Sequence, residues 1–302
     1  MTPYKTQIVV GIDAGNEYAP AIGLIQRLEF PEPHLELIHA APETLPIPFP
    51  FANRTEIEAR YAEVVSNLGN AALQASTNLA CGKGIACDAR LVHGNPAERI
   101  IEAAAHDKVD LVAINSARCG VVQKSYIGSL ARALAIGSPT SVLVTKGAQG
   151  VRNTLRAVFA TDHSPFAQRC LEQFIRLAPR GIKEIHVVTA WQLDDHQSAI
   201  LSKNLASLGG DADRWITEEL EAMNIADCAM LEAAGYHAVS IVREGKPNEV
   251  IHHAMTESRA DLLVVGSQGS GAMSRSLVGS VSLHQVTAEF YPVLVIRPRE
   301  KA

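Results

Sequence analysis

Three glycines near the C-terminal end of the sequence have the spacing of a backbone site for an anion. Gly266 directly follows the apolar run DLLVV, Gly269 comes three positions later, and Gly279 stands ten positions after that, followed by Ser280. Glycine lets the main chain approach a phosphate or a ribose closely, and free N–H groups at a helix start donate to an anion. The segment LVGSVSLHQVTAEF predicts such a helix start. Ser280 or Ser282 caps this helix, or Ser280 offers its hydroxyl to a phosphate oxygen.

These glycines belong to the second copy of an internal repeat. Each half opens with an apolar strand that ends in aspartate, QIVVGID to Asp13 and RAVFATD to Asp162. Later, HGNPAERIIEAAAHDKVDLVAI at 93–114 matches EGKPNEVIHHAMTESRADLLVV at 244–265, and matched residues are separated by 149 to 151 positions. This regular offset along the whole chain indicates two copies of one domain.

Each copy alternates short apolar runs with helical patterns. Runs such as IVVGI, LVAI and SVLV are rich in β-branched residues, whereas residues 55–79 carry apolar side chains at every third or fourth position. This alternation predicts βαβ units. The expected fold class is therefore α/β, with two tandem copies of an open, mostly parallel five-stranded sheet flanked by helices. We place the copies at residues 1–147 and 153–302, joined by the polar, glycine-containing segment 146–153.

Composition and charge argue against several classes of function. The 302 residues carry a net charge of −5 with a pI near 6.1, without the basic excess of a nucleic-acid-binding or polybasic membrane-surface protein. The apolar runs are too short for a secretion signal or a membrane span. Five scattered cysteines predict reduced thiols in a cytoplasmic protein, and the closest pair, Cys81 and Cys87, matches no zinc or redox motif. The sequence also contains no Gly-x4-Gly-Lys-Ser/Thr loop.

With these motifs in place, the sequence resembles a tandem universal stress protein over essentially all of its length. Nucleotide-binding members of that family carry Gly-x2-Gly-x9-Gly-Ser/Thr after the fourth strand. They also have an aspartate at the end of the first strand and an EG-x-P segment before the helix that precedes the fourth strand. The second half has all three features, with Asp162 and EGKP at 244–247 accompanying the glycines. The resemblance implies a fold related to the adenine nucleotide α-hydrolases, which binds ATP without a Walker P-loop.

The resemblance also implies a role for nine residues of the second half. Asp162 would hydrogen-bond near the adenine or ribose, and Val187 would lie beside the adenine. The ribose and phosphates would be lined by Gly266, Gln268 and Gly269, and the phosphates would be cradled by Gly279, Ser280, Val281 and Ser282. Gln268 stands where the family often has arginine or histidine, so one positive contact to the triphosphate is missing.

The first half departs from this pattern. Asn115 and Arg118 replace the first two glycines, while Gly128-Ser129 is retained. Arginine takes positive φ poorly and its side chain would enter the space that a ribose needs, although its guanidinium also suits a phosphate. We therefore expect the second half to bind ATP and the first half to bind it weakly or not at all.

The favoured function is an ATP-binding regulatory protein of the stress response, with or without Mg²⁺ on the nucleotide, read by an unknown protein partner. The alternatives are a slow ATPase or other ATP-using enzyme, and a nucleotide-free interaction scaffold. An enzyme is ranked lower because, beyond Ser280 and Ser282, the sequence identifies no set of groups for phosphoryl transfer. The resemblance and the repeat together predict an intramolecular pseudo-dimer that pairs through the last strands, SVLVTK and PVLVIR, and they leave a homodimer open.

Overall fold

The fold is an α/β arrangement in which strands and helices alternate along the chain. The computed structural model describes residues 5–15, 17–42, 54–116, 129–147, 154–193, 212–269 and 278–299. The strands in these ranges are β1 Gln7–Gly11, β2 His34–Ala41, β3 Ala86–His93, β4 Val109–Asn115, β5 Ser141–Thr145, β6 Leu155–Ala160, β7 Ile182–Trp191, β8 His237–Glu244, β9 Leu262–Gly266 and β10 Val293–Ile296. The helices are α1 Ala19–Leu28, α2 Arg54–Gly82, α3 Pro96–Ala104, α4 Ser129–Gly137, α5 Pro165–Leu177, α6 Ala212–Ala233, α7 Pro247–Glu257 and α8 Ser280–Ala288.

All ten strands join into one sheet with the order β3-β2-β1-β4-β5-β10-β9-β6-β7-β8. Neighbouring strands are parallel within each half. The halves meet at β5 and β10, which are antiparallel, with Leu143 opposite Leu294. The expected fold class is therefore confirmed, including the pseudo-dimer that pairs through the last strand of each half.

Apolar side chains on both faces of the sheet explain why its strands read as continuous hydrophobic runs. On one face, α1, α2, α5 and α6 cover a core that includes Leu35, Phe159 and Phe174. On the other face, α3, α4, α7 and α8 cover a second core that includes Ile100 and Val265. A parallel sheet needs this double cover because its crossover helices lie on both faces.

The internal repeat extends to individual side-chain contacts. Asp110 and Asp261, which stand 151 positions apart, occupy the same place in the two halves. Each carboxylate accepts a hydrogen bond from the backbone N–H of the first strand of its half, from Gln7 at 3.0 Å and from Arg156 at 3.0 Å. The same sequence signal therefore produces the same tie between the first and fourth strands of each half.

The junction between the halves also carries a reciprocal pair of cations. Lys146, just after β5, donates from its Nζ to the carbonyl oxygen of Val286 in the last turn of α8. Arg297, just after β10, donates to the carbonyl oxygens of Ala135 and Ile136 at the end of α4, at 2.6 and 2.9 Å. The last carbonyls of a helix lack intrahelical donors and carry partial negative charge, so each half supplies a cation to a helix end of the other.

The described residues bear on two further features of the chain, namely membrane-spanning helices and the segment that joins the halves. Within these ranges, the chain has no helix with the length and hydropathy to cross a membrane. Most of the segment proposed to join the halves, residues 148–153, lies outside the described residues.

Gly23 offers a simple prediction on stability. It lies in the middle of α1, and a Cβ built there meets no described atom within 4 Å. Because glycine lowers helix stability relative to alanine, we expect Gly23→Ala to raise the free energy of unfolding by about 0.5–1 kcal/mol. Chemical denaturation of the full chain measures this change, and an unchanged or lower stability would contradict it.

Candidate functional site

The candidate site lies where the strand order of the second half reverses. The chain proceeds from β6 to β7 on one side, while β9 lies on the other side of β6, with Ala160 opposite Val265. Open α/β sheets bind ligands at the carboxyl ends of the strands beside such a reversal. Asp162 follows β6 and Gly266 ends β9, so the sheet brings these predicted residues to that position.

The loop after β6 holds the Asp162 carboxylate in a defined orientation. Its Oδ1 atom accepts a hydrogen bond from the backbone N–H of Ser164 at 3.1 Å. Ser164 in turn caps α5, with its hydroxyl oxygen accepting from the N–H of Ala167 at 3.1 Å, and Pro165 fills the first helical turn. The Asp162 side chain remains exposed at the strand end, where a ligand can reach it.

The backbones of Gly269 and Gly279 lie close together beside this carboxylate, and the space between them is termed the gap. A Cβ on Gly269 would lie 3.2 Å from Asp162 Oδ2, so a side chain there would press against the carboxylate. A Cβ on Gly279 would lie 3.5 Å from the backbone nitrogen of Gly269 and 3.7 Å from Gln268 Cα, which is ordinary contact. A side chain at position 279 would therefore fit, but it would fill the space between the two backbone segments.

The start of α8, directly after Gly279, carries backbone donors that have no partner within the helix. Gly279 is the N-cap residue, and the first helical hydrogen bond runs from the N–H of Leu283 to its carbonyl oxygen at 3.0 Å. The N–H groups of Ser280, Val281 and Ser282 precede that bond and lie at the positive end of the helix. No side chain among the described residues caps them. These donors suit an anion such as a phosphate.

The prediction that Ser280 or Ser282 caps α8 is wrong. Glycine occupies the cap position, and the buried Ser282 hydroxyl instead donates to the carbonyl oxygen of Gly266 at 2.5 Å. That bond joins the start of α8 to the end of β9. Ser280 is exposed, so its hydroxyl is available to a ligand, which was the other alternative for this residue.

Gly266 has a packing role that the spacing alone does not show. A Cβ at this position would lie 3.0 Å from Cys170 Sγ and 3.3 Å from the carbonyl oxygen of Gln268. The first glycine of the motif thus allows α5 and the loop after β9 to approach β9 closely. The three glycines therefore have different structural roles: Gly266 allows close packing, whereas Gly269 and Gly279 border the gap.

A buried polar network behind the loop was missed by the sequence analysis. His163 has φ 55° and a side chain that is 9% exposed. Its Nε2 lies 3.0 Å from Thr189 Oγ1 on β7, and its Nδ1 lies 3.3 Å from Asp227 Oδ2 on α6. Thr189 donates its hydroxyl hydrogen to Asn224 Oδ1 at 2.8 Å, so it accepts from the histidine Nε2–H. The loop that carries Asp162 is thereby tied to both β7 and α6.

Val187 lies on the inner side of this network. Its side chain is fully buried in the core and its carbonyl oxygen accepts from Asn224 Nδ2 at 3.2 Å. The predicted place of Val187 beside an adenine stays a prediction. The sequence held one signal for the network, because Asn224 and Asp227 stand three positions apart, next to Cys228, on a helix face that is otherwise apolar.

The matching strand end of the first half is built differently. Asn115, the counterpart of Gly266, accepts at Oδ1 from the Thr145 hydroxyl at 2.8 Å and from the N–H of Gly147 at 3.1 Å. A cavity of about 220 Å³ lies there, lined largely by apolar side chains together with Asp13 and Asn115. Arg118 and Gly128 lie outside the described residues. Asn115 thus serves local structure at a position where the second half has bare backbone.

Two histidines and a glutamate form a cluster on the surface between α7 and α8. Glu289 binds His252 through Oε2 at 3.0 Å and approaches His284 through Oε1 at 3.7 Å. In the described part of the chain, no three histidine, cysteine or acidic side chains converge as metal ligands would. The cluster is therefore a surface ion-pair group, and the strand ends of the second half remain the candidate site.

Comparison with known proteins relates the whole chain to one family. The profile of the universal stress protein family matches residues 6–146 and again residues 154–297. Universal stress protein YxiE of Bacillus subtilis (strain 168) is 25% identical over 150 residues, which are 47% of this chain and 98% of that protein. The crystal structure of a universal stress protein from Archaeoglobus fulgidus DSM 4304 aligns with a TM-score of 0.66 at 18% identity, covering 97% of this chain and 98% of that one. A structure from Pseudomonas aeruginosa UCBPP-PA14 gives a TM-score of 0.57 at 15% identity, covering 98% and 94%.

Proposed function

Because the chain belongs to the universal stress protein family, we propose that it binds ATP at the strand ends of its second half and acts as a regulator in the stress response. The observation that carries this proposal is the gap between Gly269 and Gly279. Bare backbone borders it at both glycines, the uncapped start of α8 directly follows Gly279, and the Asp162 carboxylate lies beside Gly269. A cytoplasmic location is part of the proposal.

Each part of the site has a task suited to its chemistry. The Asp162 carboxylate accepts hydrogen bonds from the ribose hydroxyls or the adenine edge, and Gly269 leaves room beside it. The N–H groups of Ser280, Val281 and Ser282 donate to phosphate oxygens, and the exposed Ser280 hydroxyl adds a further donor. The side chain of Gln268 carries no positive charge, so Mg²⁺, where present, would neutralise the phosphate charge instead.

The proposed regulation depends on the contact between the loop that carries Asp162 and helix α6. The loop that carries Asp162 is tied through His163 to Asp227 on α6, so a ligand that orders the loop also acts on that helix. An exposed helix whose order depends on nucleotide is a surface that a protein partner can read. The proposal thus names the second half as the part that responds to ATP.

The test begins with the small molecule that accompanies the gently purified chain. Mass spectrometry should identify an adenine nucleotide, and titration of the full-length protein with Mg-ATP should show saturable binding. Absence of bound nucleotide, together with no heat or signal change at millimolar Mg-ATP, would favour a nucleotide-free scaffold. Accumulation of ADP well above that of a Gly279→Val variant would instead favour a slow ATPase.

A substitution at Asp162 separates the sugar and base contacts from the phosphate contacts. Asp162→Asn retains an oxygen for the N–H of Ser164 but removes the charge. Since hydrogen bonds to charged groups are stronger than neutral ones by roughly 1 kcal/mol, we expect affinity for both ATP and adenosine to fall about fivefold. Calorimetric titration with the two ligands measures this. Unchanged adenosine affinity would place Asp162 outside the site.

A further inference from the structure

Two cysteines of the first half meet at the turn between α2 and β3. Gly84, with φ 73°, reverses the chain there, and its N–H donates to the carbonyl oxygen of Cys81 at 2.9 Å. The N–H of Ile85 donates to the carbonyl oxygen of Ala80 at 3.0 Å. This tight turn brings the thiol of Cys87, on β3, into hydrogen-bonding contact with the thiol of Cys81, at the end of α2.

The two thiols differ in access. Cys81 is exposed, whereas Cys87 is half-buried and packs against the core beneath α2. Burial raises the pKa of Cys87, which keeps it as a protonated thiol beside its more accessible neighbour. An accessible thiol with a second thiol in contact is the arrangement that allows a first oxidation product to be captured within the molecule.

The other described cysteines lack these properties. Cys170 and Cys228 are both buried, and burial raises their pKa values to about 12 and about 11. Their burial shields both thiols from peroxide in the solvent, whereas Cys81 is exposed to it. The second half has Glu232 and Ala238 at the positions that match Cys81 and Cys87, so the thiol pair exists in one half alone.

We propose that Cys81 and Cys87 form a reversible disulfide when the protein meets a peroxide. The Cys81 thiol is oxidised by hydrogen peroxide to a sulfenic acid, with release of one water. The Cys87 sulfur then attacks the Cys81 sulfur and displaces the sulfenic oxygen, which leaves with the thiol proton as a second water. A dithiol reductant restores both thiols by exchange and is itself oxidised. This site is separate from the proposed nucleotide site and does not depend on it.

The pair is suited to detection by peptide mapping. Trypsin cuts after Lys83, between the two cysteines, so Cys81 falls in peptide 61–83 and Cys87 in peptide 84–90. After treatment of the reduced full chain with hydrogen peroxide, we expect these peptides to appear linked, two mass units below their sum. Dithiothreitol should separate them again. Peptides with Cys170 and Cys228 should keep free thiols.

Two variants make the experiment decisive. In Cys87→Ser the capture step is lost, so dimedone labelling of Cys81 sulfenic acid should rise several-fold over the wild type. In Cys81→Ser, Cys87 should remain a thiol at the same peroxide dose. The proposal is overturned by labelled Cys81 without a link in the wild type, by links mainly to Cys119, by unchanged labelling in Cys87→Ser, or by no oxidation of either thiol.

Discussion

Replacement of Gly279 with valine should weaken ATP binding at least 100-fold while leaving the fold intact. The residue has φ −62° and ψ 147°, which valine adopts without strain, and its Cβ would make only ordinary contacts with described atoms. The branched side chain would nevertheless fill the gap in front of the Ser280–Ser282 amides. Loss of two charge-assisted hydrogen bonds to phosphate amounts to roughly 3 kcal/mol, which corresponds to about two orders of magnitude in affinity.

Titration calorimetry with ATP and with adenosine measures this effect, and circular dichroism monitors the fold. Adenosine lacks phosphates, so its affinity should change much less than that of ATP. Gly279→Ala should give an intermediate loss because its single methyl group fills less of the gap. Gly23→Ala provides a matched control, since it adds a methyl group in open space in the first half of the chain, whereas Gly279 lies in the second half. If the ATP affinity of Gly279→Val were within a few-fold of the wild-type affinity, the proposed phosphate site would be refuted.

The second large effect is expected at Gly181, where the two halves touch. A Cβ on Gly181 would lie 1.8 Å from the carbonyl oxygen of Arg27, at the end of α1. The N–H of Gly181 also donates to the carbonyl oxygen of Leu28 at 3.0 Å. Both obstacles are backbone, so no side chain can rotate away. We expect Gly181→Ala to lower the free energy of unfolding by about 2–4 kcal/mol, from overpacking and a weakened hydrogen bond.

Chemical denaturation of the full chain, followed by circular dichroism, measures the loss at Gly181. Gly23→Ala again serves as the control, because it changes glycine to alanine in the helix that ends at Leu28 and is expected to stabilise. A Gly181→Ala variant as stable as the wild type would contradict the close approach of α1 to the loop before β7.

The repeat explains why so much of the fold could be predicted from sequence. Strand runs and helix periodicity are local patterns, and the constant offset between halves fixed which strand corresponds to which. Pairing of β5 with β10 followed from the repeat together with the family resemblance, and the structure adds the register of that pairing, in which Leu143 lies opposite Leu294. The candidate site was predicted by the same reasoning, because Asp162 follows one strand and Gly266 ends another, and the topology makes these strands neighbours.

Contacts between distant elements were beyond that reasoning. His163 and Asp227 are 64 positions apart, and only the packing of α6 on the sheet brings them within 3.3 Å. The cap of α8 was misassigned because serine is a good capping residue in isolation, whereas here the end of β9 offers Ser282 a carbonyl partner. The meeting of Cys81 with Cys87 depends on a turn whose geometry a spacing of six residues does not specify.

The antiparallel seam between β5 and β10 fixes the directions in which the two halves face. All strands of one half point their carboxyl ends toward one rim of the sheet, and those of the other half point toward the opposite rim. A macromolecule seated over the rim that holds Gly279 therefore leaves the rim that holds Asn115 uncovered. Under the proposed function, the nucleotide would therefore lie on one rim of the sheet, and the strand ends of the first half would face away from it.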